Sequence, residues 1–357
     1  MTASSVSGDG KGMATPTPSR IMQIGMGFWA SKALLTAVQF DLFTRLAPNP
    51  LSAREIREEL GLRCSERHVF DWLDSLVTLG LLQRTGLWST ARYANAEDTD
   101  LFLDKNKRSY MGGILEMANS RLYRFWNDLG EGLKTGQPQN ESKGSPQGNM
   151  AFFHELYQDP QRLQEFMDAM GGIQAGNFMV LVNSFDFGRF ATMLDVGGAD
   201  ASLSIQVCRR FPAIRSVSFD LPPVAPLAAR NIAAAQLSDR ISAAGGDFMK
   251  DPWPKADLVT MGNILHGLDE AGKQQLVSTA YNSLADGGAL LAIENIIDND
   301  RRQNLFGLLM SLNMLIENGD AFDYTMNDFE RWTKAAGFRR TERIPLAGPT
   351  SAAVAYK

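Results

Sequence analysis

The chain has 357 residues, more than a single core ordinarily serves, so two domains are expected. Apolar residues make up 44 % and charged residues 21 %, and a net charge of −5 without any basic block excludes a phosphate-driven nucleic-acid surface. Cys64 and Cys208 lie far apart and outside any CxxC pair, which excludes a disulfide scaffold and fits a reducing compartment. His68, His154 and His266 show no HxxxH spacing, so no dedicated zinc site is expected, and a mixed histidine and carboxylate site stays open.

Residues 1 to 20, MTASSVSGDGKGMATPTPSR, are small, polar and dotted with Pro and Gly. They read as a disordered tail without the apolar region of a signal peptide. No run of ~18 apolar residues is seen, so no membrane span is expected and the protein reads as cytoplasmic. IMQIGMGFWASKALLTAVQFDLFTRL carries apolar residues at helical spacing and is broken by Pro48 and Pro50. In LSAREIREELGL, Ser52 and Glu55 form a capping box, and SERHVFDWLDSLVTLGLL repeats the helical pattern from Ser65. GLLQRTGLWSTARYA reads as a hairpin turning near Thr85 and Gly86. Two helices and a β-wing make a winged-helix arrangement over 21–105. Its second helix sets Asp71 and Asp74 against Arg67, which disfavours DNA and favours dimerisation.

Residues 107 to 135 read as one helix rich in Tyr110, Met111, Met117, Tyr123, Phe125 and Trp126. A polar loop follows over 135–149, then two helical stretches over 151–184 parted near Gly171 and Gly172. Segment 106–184 is therefore assigned as a helical linker with acceptor-pocket helices. From residue 191, TMLDVGG, SVSFDLP, ADLVTMGNILH, ALLAIENII and SAAVAYK alternate with helical stretches such as SLSIQVCRRF and AGKQQLVSTAYNSL. The expected fold over 185–357 is an α/β, Rossmann-like parallel sheet covered on both faces.

MLDVGGADASLS places a strand end at Asp195, two glycines, and a helix start near Ala201. Ligands of open α/β sheets bind at such strand ends, and Gly197 and Gly198 permit close backbone approach. This is not the GxGxxG of a dinucleotide site. Asp220 ends the next strand, where it can accept from ribose hydroxyls, and Asp247 with Phe248 in AGGDF can meet an adenine. His266, after an apolar run, is either a general base or a polar residue at the edge of a core.

The run DVGG, FDLP, GGDF, ILHGLDE, the strand carrying Glu294, and DYTMNDFERWTKAAGF resembles the caffeic acid and acetylserotonin O-methyltransferase family over nearly the whole chain. The resemblance implies a class I methyltransferase domain, an N-terminal dimerisation domain giving a homodimer, and S-adenosylmethionine as cofactor. It implies that Asp195, Gly197, Gly198, Asp220, Leu221, Asp247, Phe248 and Asn263 line the cofactor site. His266 would be the base, with Glu294 and Asp323 as its supporting acids. Tyr110, Met117, Arg121, Tyr123, Trp126, Met310, Asn313 and Met314 would line the acceptor pocket, and no metal is implied.

Two departures stand out. GGADA replaces the family's GGGxG, and His266-Gly267-Leu268 replaces HDW. RIMQIGMGFWASKALLTAV, EMANSRLYRFW, LKTGQPQNE and DRRQNLFGLLMSLNML further resemble a bacterial branch similar to the S-methyltransferases of dimethylsulfoniopropionate synthesis. That branch implies the thioether 4-methylthio-2-hydroxybutyrate as acceptor, its carboxylate met by an arginine such as Arg121 or Arg124. The second reading is O-methylation of an aromatic or polyketide hydroxyl with His266 as base. A third, of another class, is a non-catalytic winged-helix ligand-sensing regulator.

Overall fold

The computed structural model describes residues 16–107, 109–141, 143, 144, 156 and 159–357. His154 and most of the 142–158 stretch lie outside the described residues. Contacts divide the chain into two compact units, Met1–Asp100 and Leu101–Lys357, so the 106–184 segment groups with the sheet.

The first unit contains α1 (Ser19–Gly25), α2 (Gly27–Gln39), α3 (Leu42–Leu46), α4 (Ala53–Glu59) and α5 (Glu66–Thr78). The first helix thus starts inside the expected tail. The Ser52 side chain accepts from Glu55 N, and the Glu55 carboxylate accepts from Ser52 N at 2.7 Å, closing the capping box at the head of α4. Leu35, Val38, Leu42, Phe43, Ile56, Val69, Leu73 and Leu76 form the core. Strands β1 (Leu82–Thr85) and β2 (Arg92–Asn95) make the antiparallel hairpin. Its turn needs Gly86, where φ is +73° and a Cβ would lie 2.5 Å from Thr90 O. Asp74 is engaged within the unit. It pairs with Arg84 at 2.7 Å and accepts from Tyr93 Oη at 2.8 Å, tying α5 to the hairpin.

One expectation about the N-terminus needs correcting. Ser19–Gln39 is long and apolar enough, at mean hydropathy 1.2, to meet the length and composition of a membrane span. A bend at Met26, between α1 and α2, divides it into two helices. Ile21, Ile24, Phe28 and Trp29 are exposed, so this unit leaves an apolar face of those helices uncovered.

The second unit is built on a seven-stranded sheet of order β5-β4-β3-β6-β7-β9-β8. Its strands are β3 (Thr192–Val196), β4 (Arg215–Asp220), β5 (Ile241–Gly245), β6 (Ala256–Gly262), β7 (Leu284–Glu294), β8 (Arg340–Pro345) and β9 (Ser351–Tyr356). The pairs from β5 to β7 are parallel, whereas β9 and β8 run antiparallel, so the sheet is mixed. The chain winds from β3 outward to β5, then resumes on the other side with β6. The topological switch point therefore lies between the carboxyl ends of β3 and β6.

Helix Pro160–Ser184 runs unbroken through Gly171 and Gly172. A glycine costs a helix interior only about 1 kcal/mol relative to alanine, less than its packing returns. A Cβ at Gly171 would sit 3.2 Å from Asp200 Oδ2, so the small residues let helix and loop approach. The aromatic segment, conversely, is not one helix from 107. It starts at Gly112, passes through a π-helical turn at Ala118–Leu122 and a 3-10 turn at Trp126–Asp128, and ends at Thr135. Such π-turns are frequent at functional sites.

Candidate active site

The loop after β3 is shaped by steric exclusion. At Gly197 φ is +66° and a Cβ would lie 2.2 Å from Ile264 Cδ1; at Gly198 it would lie 2.3 Å from Ser218 Oγ. Ala199 and Ala201 stand where the family motif has its later glycines, and both adopt left-handed φ, +48° and +66°. The loop shape survives GGADA at a backbone cost of roughly 1–2 kcal/mol per alanine. Asp200 accepts from Ser202 N at 3.0 Å and Ser202 Oγ at 2.6 Å, at the start of helix Ser202–Arg210.

Asp220 is buried at the end of β4, and burial raises its pKa; its carboxylate accepts from Ala199 N at 2.9 Å and Leu221 N at 2.7 Å. Asp195 is turned the other way. Its oxygens accept from Thr260 Oγ1 at 2.7 Å and Ser204 Oγ at 3.1 Å, and burial pushes its pKa up to about 6. Its carboxylate braces β3 against β6 and the following helix instead of facing the crevice. Asp247 is held below the usual range because Lys250, at 2.8 Å, and Met249 N outweigh its partial burial. Phe248 is half-buried beside it.

Asn263, just past β6, also has left-handed φ, +53°, and its buried Oδ1 has no partner. An orphaned acceptor next to a loop that rejects side chains fits a ligand that brings hydrogen-bond donors and close-packed atoms, as an adenosine does.

His266 lies in the 3-10 turn Leu265–Gly267, which begins two residues after Asn263. Glu294, the last residue of β7, holds this turn: its Oε1 accepts from Leu265 N at 2.9 Å and His266 N at 3.4 Å. His266 Nδ1 lies 3.5 Å from Asp323 Oδ1 and 4.0 Å from Glu294 Oε2, with both carboxylates buried. Burial disfavours an imidazolium here, but Glu294 and Asp323 outweigh it and raise His266 to about 9. Burial likewise raises Glu294 to about 7, against the pull of His266. His266 Nδ1, Glu294 Oε2 and both Asp323 oxygens have no hydrogen-bond partner within strict geometry. The three groups bring donor atoms within 4.8 Å of one another, compact enough for a cation. The arrangement is equally that of an imidazole and its two counter-carboxylates.

The acids after His266 have other work. Asp269 caps helix Glu270–Ser283 by accepting from Gly272 N at 2.8 Å, and Glu270 binds Arg331 at 2.7 Å and Trp332 Nε1 at 3.0 Å. Gly267 O accepts from Asn318 Nδ2 at 3.2 Å, which sets the His266 turn against the end of helix Leu305–Asn318.

That helix carries Met310, Asn313 and Met314. Asn313 Oδ1 accepts from Trp126 Nε1 at 2.9 Å, bringing two expected pocket residues together. Tyr110 donates to Glu116 at 2.8 Å, and Met117 and Tyr123 are half-buried on the 112–125 segment. Arg121 departs from expectation. It binds Glu141 through two bonds of 2.7 Å and Glu317 through one of 3.0 Å, so its guanidinium is already matched by two carboxylates. Arg124 lies over the Phe125 ring at 4.6 Å. Reasoning from sequence missed Lys273, which is fully buried near the triad. A signal existed: Lys273 falls in phase with Leu276, Val277 and Ala280, the apolar stripe of its helix.

A switch-point glycine loop with buried acids at successive strand ends is the architecture of an S-adenosylmethionine-dependent methyltransferase. Family models match residues 126–339 as an O-methyltransferase domain and residues 22–105 as an O-methyltransferase dimerisation domain. The chain belongs to this O-methyltransferase family, and the dimerisation domain implies a homodimer. It is 35 % identical over 95 % of its length, and 97 % of the relative's, to tetracenomycin polyketide synthesis 8-O-methyl transferase TcmO of Streptomyces glaucescens. It is 29 % identical to 3-hydroxy-5-methyl-1-naphthoate 3-O-methyltransferase of Streptomyces sahachiroi, over 95 % of this chain and 96 % of that one. The crystal structure of human N-acetylserotonin methyltransferase in complex with S-adenosylmethionine superposes with a TM-score of 0.86 at 27 % identity, covering 97 % of this chain and 99 % of that one.

Proposed function

We infer that this enzyme methylates a hydroxyl on an aromatic, polyketide-type acceptor, with His266 as general base. The observation that carries the reading is the buried set His266, Asp323 and Glu294. Both carboxylates lie on the Nδ1 side of the ring, so Nε2 is the atom left for an acceptor. When bound, S-adenosylmethionine supplies the electrophilic methyl on its sulfonium. Gly197, Gly198, Asp220, Leu221, Asp247, Phe248 and Asn263 would hold the adenosine end. The hydroxyl proton of the acceptor passes to His266 Nε2, which frees the oxygen to take the methyl group that the cofactor would supply. Proton transfer to His266 contributes about 10²–10⁴-fold, and Asp323 and Glu294 keep the ring oriented and stabilise the imidazolium. Trp126, Asn313, Met310 and Met314, with Met117 and Tyr123, form the acceptor wall. Dimerisation runs through the N-terminal unit, where α1 and α2 present an uncovered apolar face.

The thioether reading loses its support. A thioether has no proton to give, which leaves the triad idle, and Arg121 is taken by Glu141 and Glu317 instead of awaiting a carboxylate. Labelled S-adenosylmethionine with a panel of phenols, naphthols, hydroxy acids and thioethers tests the choice. Transfer to phenols or naphthols supports it; transfer to thioethers alone overturns it.

A further inference from the structure

We propose that Lys273 is a positioning residue for the triad, a buried cation that joins the turn carrying His266 to the segment carrying Asp323. Its side chain is wholly enclosed. Nζ donates to Leu268 O, two residues after His266, and lies 3.5 Å from the centroid of the Phe322 ring, the neighbour of Asp323. One ammonium thereby grips both halves of the His–Asp pair, by a charge-assisted hydrogen bond on one side and a cation–π contact on the other.

Charge supports the same conclusion. An imidazolium facing Glu294 and Asp323 is one positive charge against two buried negatives. Lys273 supplies the second positive charge, without which the site would hold an uncompensated carboxylate. The groups facing this cluster are His266 from the turn, Glu294 from β7, Asp323 and the Tyr324 hydroxyl from the segment before helix Met326–Ala336, and Asp269 and Glu270 at the head of the lysine's own helix. Burial lowers Lys273 to about 8 despite those four carboxylates, so it is cationic at neutral pH.

The test reads the imidazole itself, so it stands or falls separately from the choice of acceptor. Protein labelled with 15N-histidine is titrated in the presence of S-adenosylhomocysteine, and His266 is assigned with His266→Gln. In Lys273→Met, and in Lys273→Gln, which keeps a donor for Leu268 O without the charge, the ring's 15N shifts and exchange behaviour below about pH 8, where the parent's Lys273 is charged, should change. Phe322→Leu, which keeps the ammonium and its bond to Leu268 O, should change them less. Folding is checked by binding of S-adenosylhomocysteine. A titration superimposable on the parent in either folded lysine variant overturns the proposal. So does failure of both lysine variants to fold, which would mark the residue as structural only.

Discussion

Asp323 Oδ1 lies 3.5 Å from His266 Nδ1, although 57 residues of chain separate the two. Neither is placed by its own neighbours in sequence. His266 is held by Glu294 at the end of β7, and Asp323 N donates to Ser311 Oγ at 3.2 Å on helix Leu305–Asn318. The imidazole and the carboxylate are thus brought together by the sheet and by the helix that carries Asn313.

Replacing His266 with Ala should lower the rate of transfer to a phenolic acceptor by about 10²–10⁴-fold. Affinity for S-adenosylmethionine, read by calorimetry, should stay within error, and dialysis against a chelator should change neither quantity. A rate reduced less than threefold would remove His266 from the chemistry.

The rate should rise with pH well beyond the ordinary histidine range. His266 would have to be neutral to accept a proton in the proposed reaction, and Glu294 and Asp323 hold it cationic up to about 9. The acid limb of kcat/KM should therefore lie above pH 7.5. Asp323→Asn should move that limb to lower pH while reducing the plateau. A flat profile between pH 6 and 9 would favour an acceptor with no proton to lose.

Asp220→Ala should weaken S-adenosylmethionine binding by at least tenfold while leaving the folded state intact. The carboxylate holds Ala199 N and Leu221 N and sits at the end of β4 where a ribose would lie. Equal affinity in parent and variant would contradict that role.

Stability should decline between pH 5 and 8. Burial raises Asp195 to about 6 and Glu294 to about 7, so the folded state holds protons that the unfolded chain releases near ~4. Stability from these groups is present below that value and is lost as pH rises through about 6 and about 7. His266, raised to about 9, adds the same sign: its contribution is whole below ~6.5 and fades as pH rises through about 9. Guanidinium midpoints at pH 5, 6.5 and 8 measure this, and a midpoint that climbs with pH contradicts the buried pairings.

Arg121→Leu should cost about 3 kcal/mol of stability, because Glu141 and Glu317 would remain largely buried without their cation. A loss below 0.5 kcal/mol in guanidinium unfolding would mean that water already screens the cluster.

Much of this was legible in the residues. Ser52 with Glu55 and Ser65 announced two helix starts, because caps act within a few residues of chain. The apolar runs of β3, β6 and β7 stood out because strands buried on both faces need nearly continuous apolar sequence. Strand β5, reading ISAAG, and β8, reading RTERIP, did not: one is small-residue chain and the other a charged edge. The helix break expected at Gly171 failed because glycine's local penalty was outweighed by close approach to the 200 loop.

By itself, the sequence determined most of the order of elements, β5 and β8 apart, the glycine loop at 197 and 198, and the acids at the ends of successive strands. Those features depend on steric limits and periodicities that operate over a few residues. Only the tertiary structure decided what each polar side chain does, since a charge is assigned by whichever partner the fold delivers. Asp195 faces Thr260 and Ser204, Arg121 belongs to Glu141 and Glu317, and Lys273 sits wholly enclosed beside the triad. Local chain chemistry could place His266 at a strand end. The long-range packing of β7 and the 323 segment gave it two carboxylates.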